Sequence, residues 1–293
     1  MIGYSISDLE NLTGIKAHTI RIWEKRYQVV TPKRTPTNIR FYNDQDLLRL
    51  LNISTLSKHG FKISKMVSMT ADEIAEKISD LSRNPSDFDS QINNLVLSML
   101  NIDQHLFEKV LSNSILKLGF EKTVVLVLFP MLERVGLYWQ LETINPAQEH
   151  FVSNLIRQKL IVAIDGLHAP LLPDYKTFLL YLPESEYHEL GLLFLNFLIR
   201  KQGHKAINLG QNVPFGAMID VVRKCDVDFV VTYFVSAPPR NELPGYIQSL
   251  AEELPGKQIM ITGNQLRELR PQMPSGVTFF ENSEIFKNFL KSL

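Results

Sequence analysis

Five short apolar runs recur near the C-terminal end of this sequence, at Phe178–Leu182, Lys205–Leu209, Phe229–Tyr233, Ile259–Thr262 and Val277–Phe280. Helix-like stretches such as Leu190–Arg200 separate them. A strand that is apolar along its whole length, rather than at every second residue, needs cover on both faces, and alternating helices supply it. The expected product is an α/β doubly wound parallel sheet over residues 175–293. Such sheets take ligands in the crevice at the carboxyl ends of their strands. The loop after the first strand, Pro183 to Gly191, places Glu186, His188 and Gly191 there. A neutral imidazole suits a transition metal, and Glu186 stands near enough in sequence to orient its other nitrogen. Gly191 would let a bulky flat ligand approach the helix backbone. Taken alone, a loop histidine is more often just polar surface.

The preceding block, residues 88–170, reads differently. It has no glycine before Gly119, and Ile92, Leu95, Val96, Met99 and Leu100 recur at helical spacing. Val124–Trp139 and Ala147–Leu167 repeat the pattern, so a four-helix-bundle-like domain is expected. Asn145-Pro146-Ala147-Gln148 sets one helix start, with a cap, a proline at the first helical position and a glutamine three after the cap. Glu149 and His150 then project near the turn that follows Trp139. An aromatic plate beside an acid and an imidazole could cover a flat ligand, whereas a core tryptophan beside a solvated helix face is the commoner arrangement.

Residues 1–80 form a third block, broken by Pro32, Pro36 and Gly60 and divided from the bundle by a polar linker, Ser82–Asp87. Residues 1–65 carry 11 Lys and Arg against 5 Asp and Glu, a net +6. The whole chain holds 31 of each sign, so the remainder has 20 against 26 and is net −6. A basic module on an acidic body suits a nucleic-acid binder that does more than bind. Ser5 or Ser7 can cap a first helix, Ser7–Leu12, ended by Thr13-Gly14. A second helix follows over Lys16–Lys25, with Ile20 and Trp23 spaced to pack inward. Two short helices around a tight glycine turn make the core of a helix-turn-helix. The second helix would offer His18, Thr19, Arg21 and Lys25 to the major groove. After Arg26, the stretch Lys33 to Tyr42, with Arg34, Asn38 and Arg40, is a basic hairpin able to lie along phosphates. Asn43 caps the next helix, Asp44–Leu56.

The run Thr19-Ile20-Arg21-Ile22-Trp23-Glu24-Lys25-Arg26-Tyr27, the Arg40-Phe41-Tyr42 wing and the helix after it resemble the signature of the MerR family of transcription regulators over about the first 70 residues. The resemblance implies a winged helix-turn-helix on a double-stranded DNA operator. Arg21, Arg40 and Tyr42 would touch the DNA backbone, Thr19 would lie near base edges, and Trp23 would be core. Many members continue into one long dimerising helix, but this chain breaks near Pro85 and enters a bundle. A homo-oligomer, dimer or tetramer, would need another surface.

Trp139 followed after nine residues by Glu149-His150 resembles the motif of light-sensing MerR regulators of the CarH and LitR type. That resemblance implies adenosylcobalamin as cofactor. Trp139 and Glu149 would surround its upper face, and His150 would ligate cobalt once light has broken the cobalt–carbon bond. Glu-x-His-x-x-Gly at 186–191 is similar to the Asp-x-His-x-x-Gly motif of flavodoxin-like cobalamin-binding domains, which makes His188 the lower cobalt ligand. Two further positions depart from the pattern. Thr232-Tyr233-Phe234 stands where Ser-x-Leu is usual, and Gly263-Asn264 where paired glycines are usual. Both line the channel for the nucleotide tail, so a larger residue there would narrow it, while Thr232 keeps a hydroxyl.

The expectation is a cytoplasmic repressor whose oligomerisation and DNA binding answer to adenosylcobalamin and light. The alternative is a regulator with a degenerate cobalamin fold, acting without corrinoid through a protein antagonist or another ligand. Cys225 is the only cysteine, which excludes an internal disulfide and a cysteine-cluster metal site. No apolar stretch approaches the roughly 20 residues of a membrane span, and the first residues have no signal-peptide pattern. An enzyme, such as a corrinoid methyl carrier, is the least favoured class, because a methyl carrier has no use for a winged module.

Overall fold

The computed structural model describes residues 3–35, 38–70, 73–74, 77, 88–141 and 143–293, the side chain of Gln140 excepted. The predicted linker Ser82–Asp87 and the wing residues 36 and 37 lie outside the described residues. The chain divides into two compact units, Met1–Leu155 and Ile156–Leu293.

In the first unit, α1 (Ile6–Thr13) starts one residue before the expected helix because Ser5 is its cap. The Ser5 hydroxyl accepts from the Asp8 N–H, and the Asp8 carboxylate accepts from the Ser5 N–H. Gly14, at φ 71°, ends the helix in a left-handed turn that a side chain would strain. The N-terminus of α2 (Ala17–Tyr27) has no local side-chain cap. Glu10 supplies one from α1, accepting from the Ala17 N–H at 3.0 Å while pairing with Lys16 at 3.1 Å. One carboxylate thereby links the two helices of the expected helix-turn-helix. Strands β1 (Lys33–Arg34) and β2 (Arg40–Phe41) pair antiparallel as the wing. Helix α3 (Asp44–Lys58) begins in an Asn43/Asp46 capping box, and the short α4 (Ile63–Met66) follows.

The same unit continues through α5 (Asp89–Leu100), α6 (Gln104–Leu118), α7 (Phe120–Thr123), a π-helical turn over Val124–Leu128, and α8 (Phe129–Gln140). Its bundle is closed by α9 (Pro146–Asp165), which runs on into the second unit. The start of α9 has the capping pattern expected from its sequence. Asn145 Oδ1 accepts from the Ala147 N–H at 2.8 Å, and Gln148 Oε1 accepts from the Asn145 N–H at 2.9 Å. Polar side chains tie bundle to head. Arg134 on α8 bridges Asp89 and Asn93 on α5, each at 2.7 Å, and the Asn93 amide donates to Thr55 on α3 at 3.3 Å.

The second unit holds one parallel sheet of β3 (Thr177–Tyr181), β4 (Lys205–Asn208), β5 (Phe229–Tyr233), β6 (Gln258–Thr262) and β7 (Val277–Phe279), in the spatial order β4-β3-β5-β6-β7. Helices α10 (Leu190–Lys201), α11 (Phe215–Lys224), α12 (Leu243–Glu253), α13 (Asn264–Leu269) and α14 (Ser283–Lys291) connect or follow the strands. Every residue of β3 is buried, as a strand covered on both faces requires. The order is the flavodoxin-like one, whose direction reverses between β3 and β5. The loops leaving those two strands therefore diverge and open a crevice, and His188 lies on the first of them. Among the described residues no helix is long and apolar enough to cross a membrane.

Candidate nucleic-acid interface and ligand site

The head presents a basic face. Of the expected contacts on α2, His18, Arg21, Lys25 and Arg26 are exposed and Thr19 is half-buried, while Ile20 is fully buried beneath them. Trp23, expected as core, is half-buried. On the wing Lys33, Arg34 and Asn38 are exposed. Asn38 adopts φ 66° and accepts from the Arg34 guanidinium at 2.7 Å, which tightens the hairpin. Arg40 is partly exposed and donates to Glu24 at 3.2 Å. Tyr42 requires a correction. Its side chain is fully buried and its hydroxyl donates to Glu24 at 3.2 Å, so it supports the wing from below instead of meeting a phosphate. Burial and the Glu24 carboxylate push its hydroxyl up to about 12.

In the first unit's bundle Trp139 is 57% exposed, flanked by exposed Leu137 and Leu141. The core placement that is commonest for tryptophan does not hold here. An indole left in water offers a flat apolar plate. Glu149 is half-buried, accepts from the Ser153 hydroxyl at 2.6 Å, and lies 3.2 Å from His150 Nδ1. The His150 side chain is 74% exposed.

The second unit's site is built around Glu186. This carboxylate has no exposed surface, although it sits in a loop. Its Oε1 accepts from the N–H groups of Tyr187 and His188, and its Oε2 from those of Val235, Ser236 and Ala237. His188 Nδ1, 2.5 Å from Oε1, and the Ser236 hydroxyl, 3.2 Å from it, donate as well. Burial alone would push the carboxyl up, but the His188 hydrogen bond and the N–H groups of Ser236, Ala237 and His188 outweigh it and hold it at about 2. An ionised carboxylate only accepts, so the proton between them belongs to Nδ1, the tautomer that in a neutral ring puts the lone pair on Nε2. The His188 side chain is 58% exposed. A single oriented imidazole could supply one ligand to a metal whose other positions a macrocycle fills.

The remaining expected contacts are placed less openly. Thr232 is fully buried within β5. The hollow above Gly191 is taken by the ring of Tyr233, since a Cβ on Gly191 would come within 2.7 Å of Tyr233 Cε2. Gly263 is a second correction. At φ 130°, a Cβ there would lie 1.9 Å from the Phe234 carbonyl oxygen, so its missing side chain makes room for the protein's own backbone and not for a ligand. Val235, Ser236 and Ala237, the donors that anchor Glu186, were not anticipated from the sequence. The small-residue, proline-containing stretch Ser236-Ala237-Pro238-Pro239 after a strand end was the available signal.

Two family models match within the first 163 residues. Residues 4–72 match the model of the MerR HTH family regulatory protein, and residues 91–163 match that of the B12 binding domain. The chain is 29% identical to the HTH-type transcriptional repressor CarH of Myxococcus xanthus, over 90% of each chain. It is 25% identical to the repressor CarA of the same organism, over 95% of this chain and 93% of that one. Among solved structures, the monomethylamine corrinoid protein of Methanosarcina barkeri shares the fold, with a TM-score of 0.53 at 14% identity over 67% of this chain and 95% of that one.

Proposed function

We propose, on the premise that this chain joins a MerR-type helix-turn-helix to a B12-binding domain, that it is a transcription regulator whose hold on double-stranded DNA is set by a bound corrinoid. The observation that carries this reading is His188, held by the buried Glu186 at the sheet's switch point with its Nε2 lone pair suited to cobalt. The donor set fits a corrinoid's lower axial position, and the Tyr233 ring occupies the room beside it.

Each residue has a stated task. Glu186 keeps the proton on Nδ1 and fixes the ring's direction. His18, Thr19, Arg21, Lys25 and Arg26 face the groove and adjacent phosphates, while Lys33, Arg34, Asn38 and Arg40 follow the backbone from the wing. Within the first unit Trp139, Glu149 and His150 are candidate corrinoid contacts, Trp139 through its exposed ring and His150 as a second imidazole. An adenosyl corrinoid would supply a cobalt–carbon bond that visible light cleaves. Light control, the adenosyl form and a ligand-dependent homo-oligomer are thus part of the proposal, supported by the Trp139…Glu149-His150 motif. The two relatives named above are repressors, and we infer repression here too, with regulator rather than enzyme as the class.

The test is spectroscopic. Full-length protein incubated in darkness with adenosylcobalamin and freed of unbound ligand should keep a visible spectrum that changes under green light, and His188→Ala should weaken that retention. A colourless wild-type protein would contradict the reading. A second reading, a regulator that works without corrinoid, is favoured by the Tyr233 ring over Gly191. It predicts the same oligomeric state with and without the ligand.

A further inference from the structure

We propose that Tyr233 selects among corrinoids, disfavouring those that carry a lower nucleotide arm and admitting truncated ones such as cobinamide. This rests on the corrinoid reading above and adds a preference within it. A complete cobalamin fills its own lower position with the base at the end of its nucleotide arm. If His188 takes that position, the base is displaced, yet the arm stays covalently attached and must leave on the face where His188 stands.

Gly191 lies three residues beyond His188, in the first turn of α10, and is the position there without a Cβ. The hollow it leaves is already filled. A Cβ at Gly191 would meet Tyr233 Cε2, Cζ and Cδ2 at 2.7, 2.9 and 3.0 Å. Tyr233 is the last residue of β5 and is in register with Thr262 of β6, so its backbone is fixed and only rotation of its side chain clears the hollow. The next residue gives no way round. Phe234 is fully buried, and its backbone is pressed against Gly263. An arm entering here must therefore turn the Tyr233 ring out, whereas a corrinoid without the arm leaves it in place. Tyr233 thus weighs on the arm and not on the macrocycle.

The experiment titrates the full chain with aquocobalamin and with diaquocobinamide, following the visible spectral shift to obtain each dissociation constant. Because cobinamide has no base to displace, the informative quantity is how the ratio of the two constants moves between variants. Tyr233→Ala should tighten aquocobalamin by about tenfold and leave cobinamide unchanged. Tyr233→Ser, which keeps a polar atom at the strand end, should do the same, and Tyr233→Phe, which keeps the ring, should retain the wild-type ratio. A ratio that does not move in Tyr233→Ala or Tyr233→Ser, or two corrinoids that tighten together, would overturn the proposal while sparing the corrinoid site. Binding of neither corrinoid by any variant would instead sink the corrinoid reading and this preference with it.

Discussion

Glu186 decides how rigid the ligand site is. It accepts from five backbone N–H groups on two separate loops, from the Ser236 hydroxyl and from one imidazole, all while buried. Glutamine in its place has one accepting oxygen and an NH2 that would face donors with another donor. Glu186→Gln should therefore cost about 2–3 kcal/mol, the scale for leaving charged buried hydrogen bonds unmade, and weaken corrinoid retention together with it. Urea unfolding followed by circular dichroism would show this as a lower midpoint, and an unchanged midpoint would refute it. The Glu186–His188 pair was legible because a single residue separates its members. The amide donors were not, because they come from positions 235–237, about fifty residues later, and no periodicity relates the two loops. Tyr42 was misjudged for a related reason. A tyrosine in a basic hairpin looks like a phosphate contact until Glu24, eighteen residues earlier, is seen to take its hydroxyl.

At the scale of elements, the informative pair is α1 and α8. The last carbonyls of a helix lack partners within it. Here side chains from elsewhere in the first unit supply them. Ser54 on α3 donates to the Thr13 carbonyl at 2.9 Å, and Tyr138 on α8 donates to the Leu12 carbonyl at 2.9 Å. Tyr138 is buried, which pushes its hydroxyl up to about 12, and it is the immediate neighbour of exposed Trp139. One turn of α8 thus bears on the end of the first DNA-motif helix with one residue and offers its indole to solvent with the next. Tyr138→Phe should remove the Leu12 bond and cost about 1–2 kcal/mol, a shift in Tm of a few degrees for a domain of this size. A variant melting with the wild type would show that this contact carries no weight. Strands, helix starts and the capping box before α9 were readable, since periodicity and caps are local. The π-helical turn at Val124–Leu128 was not, because its residues continue an ordinary apolar helix pattern.

Across the whole chain, a net charge of zero conceals a basic head of +6 and a remainder of −6, a division that suits binding a polyanion at one end only. The alternation of apolar runs implied a crevice at the carboxyl ends of the strands, and the strand order, with β3 beside β5, fixes where along the sheet it opens. The filling of the hollow at Gly191 by Tyr233 was visible in the sequence only as a departure from the usual residues, since the two positions are 42 apart in the chain. The account's central claim is that corrinoid held at His188 governs DNA binding, and linkage requires any such coupling to appear as a change in DNA affinity. The direct measurement is the affinity of the full chain, in darkness, for a duplex selected by it from a random pool, with and without the corrinoid. Wild type should change its affinity by about tenfold when the corrinoid is added, within the usual span of such couplings, and His188→Ala should not respond. A wild-type affinity indifferent to the corrinoid, at concentrations where the visible spectrum shows it bound, would contradict the account.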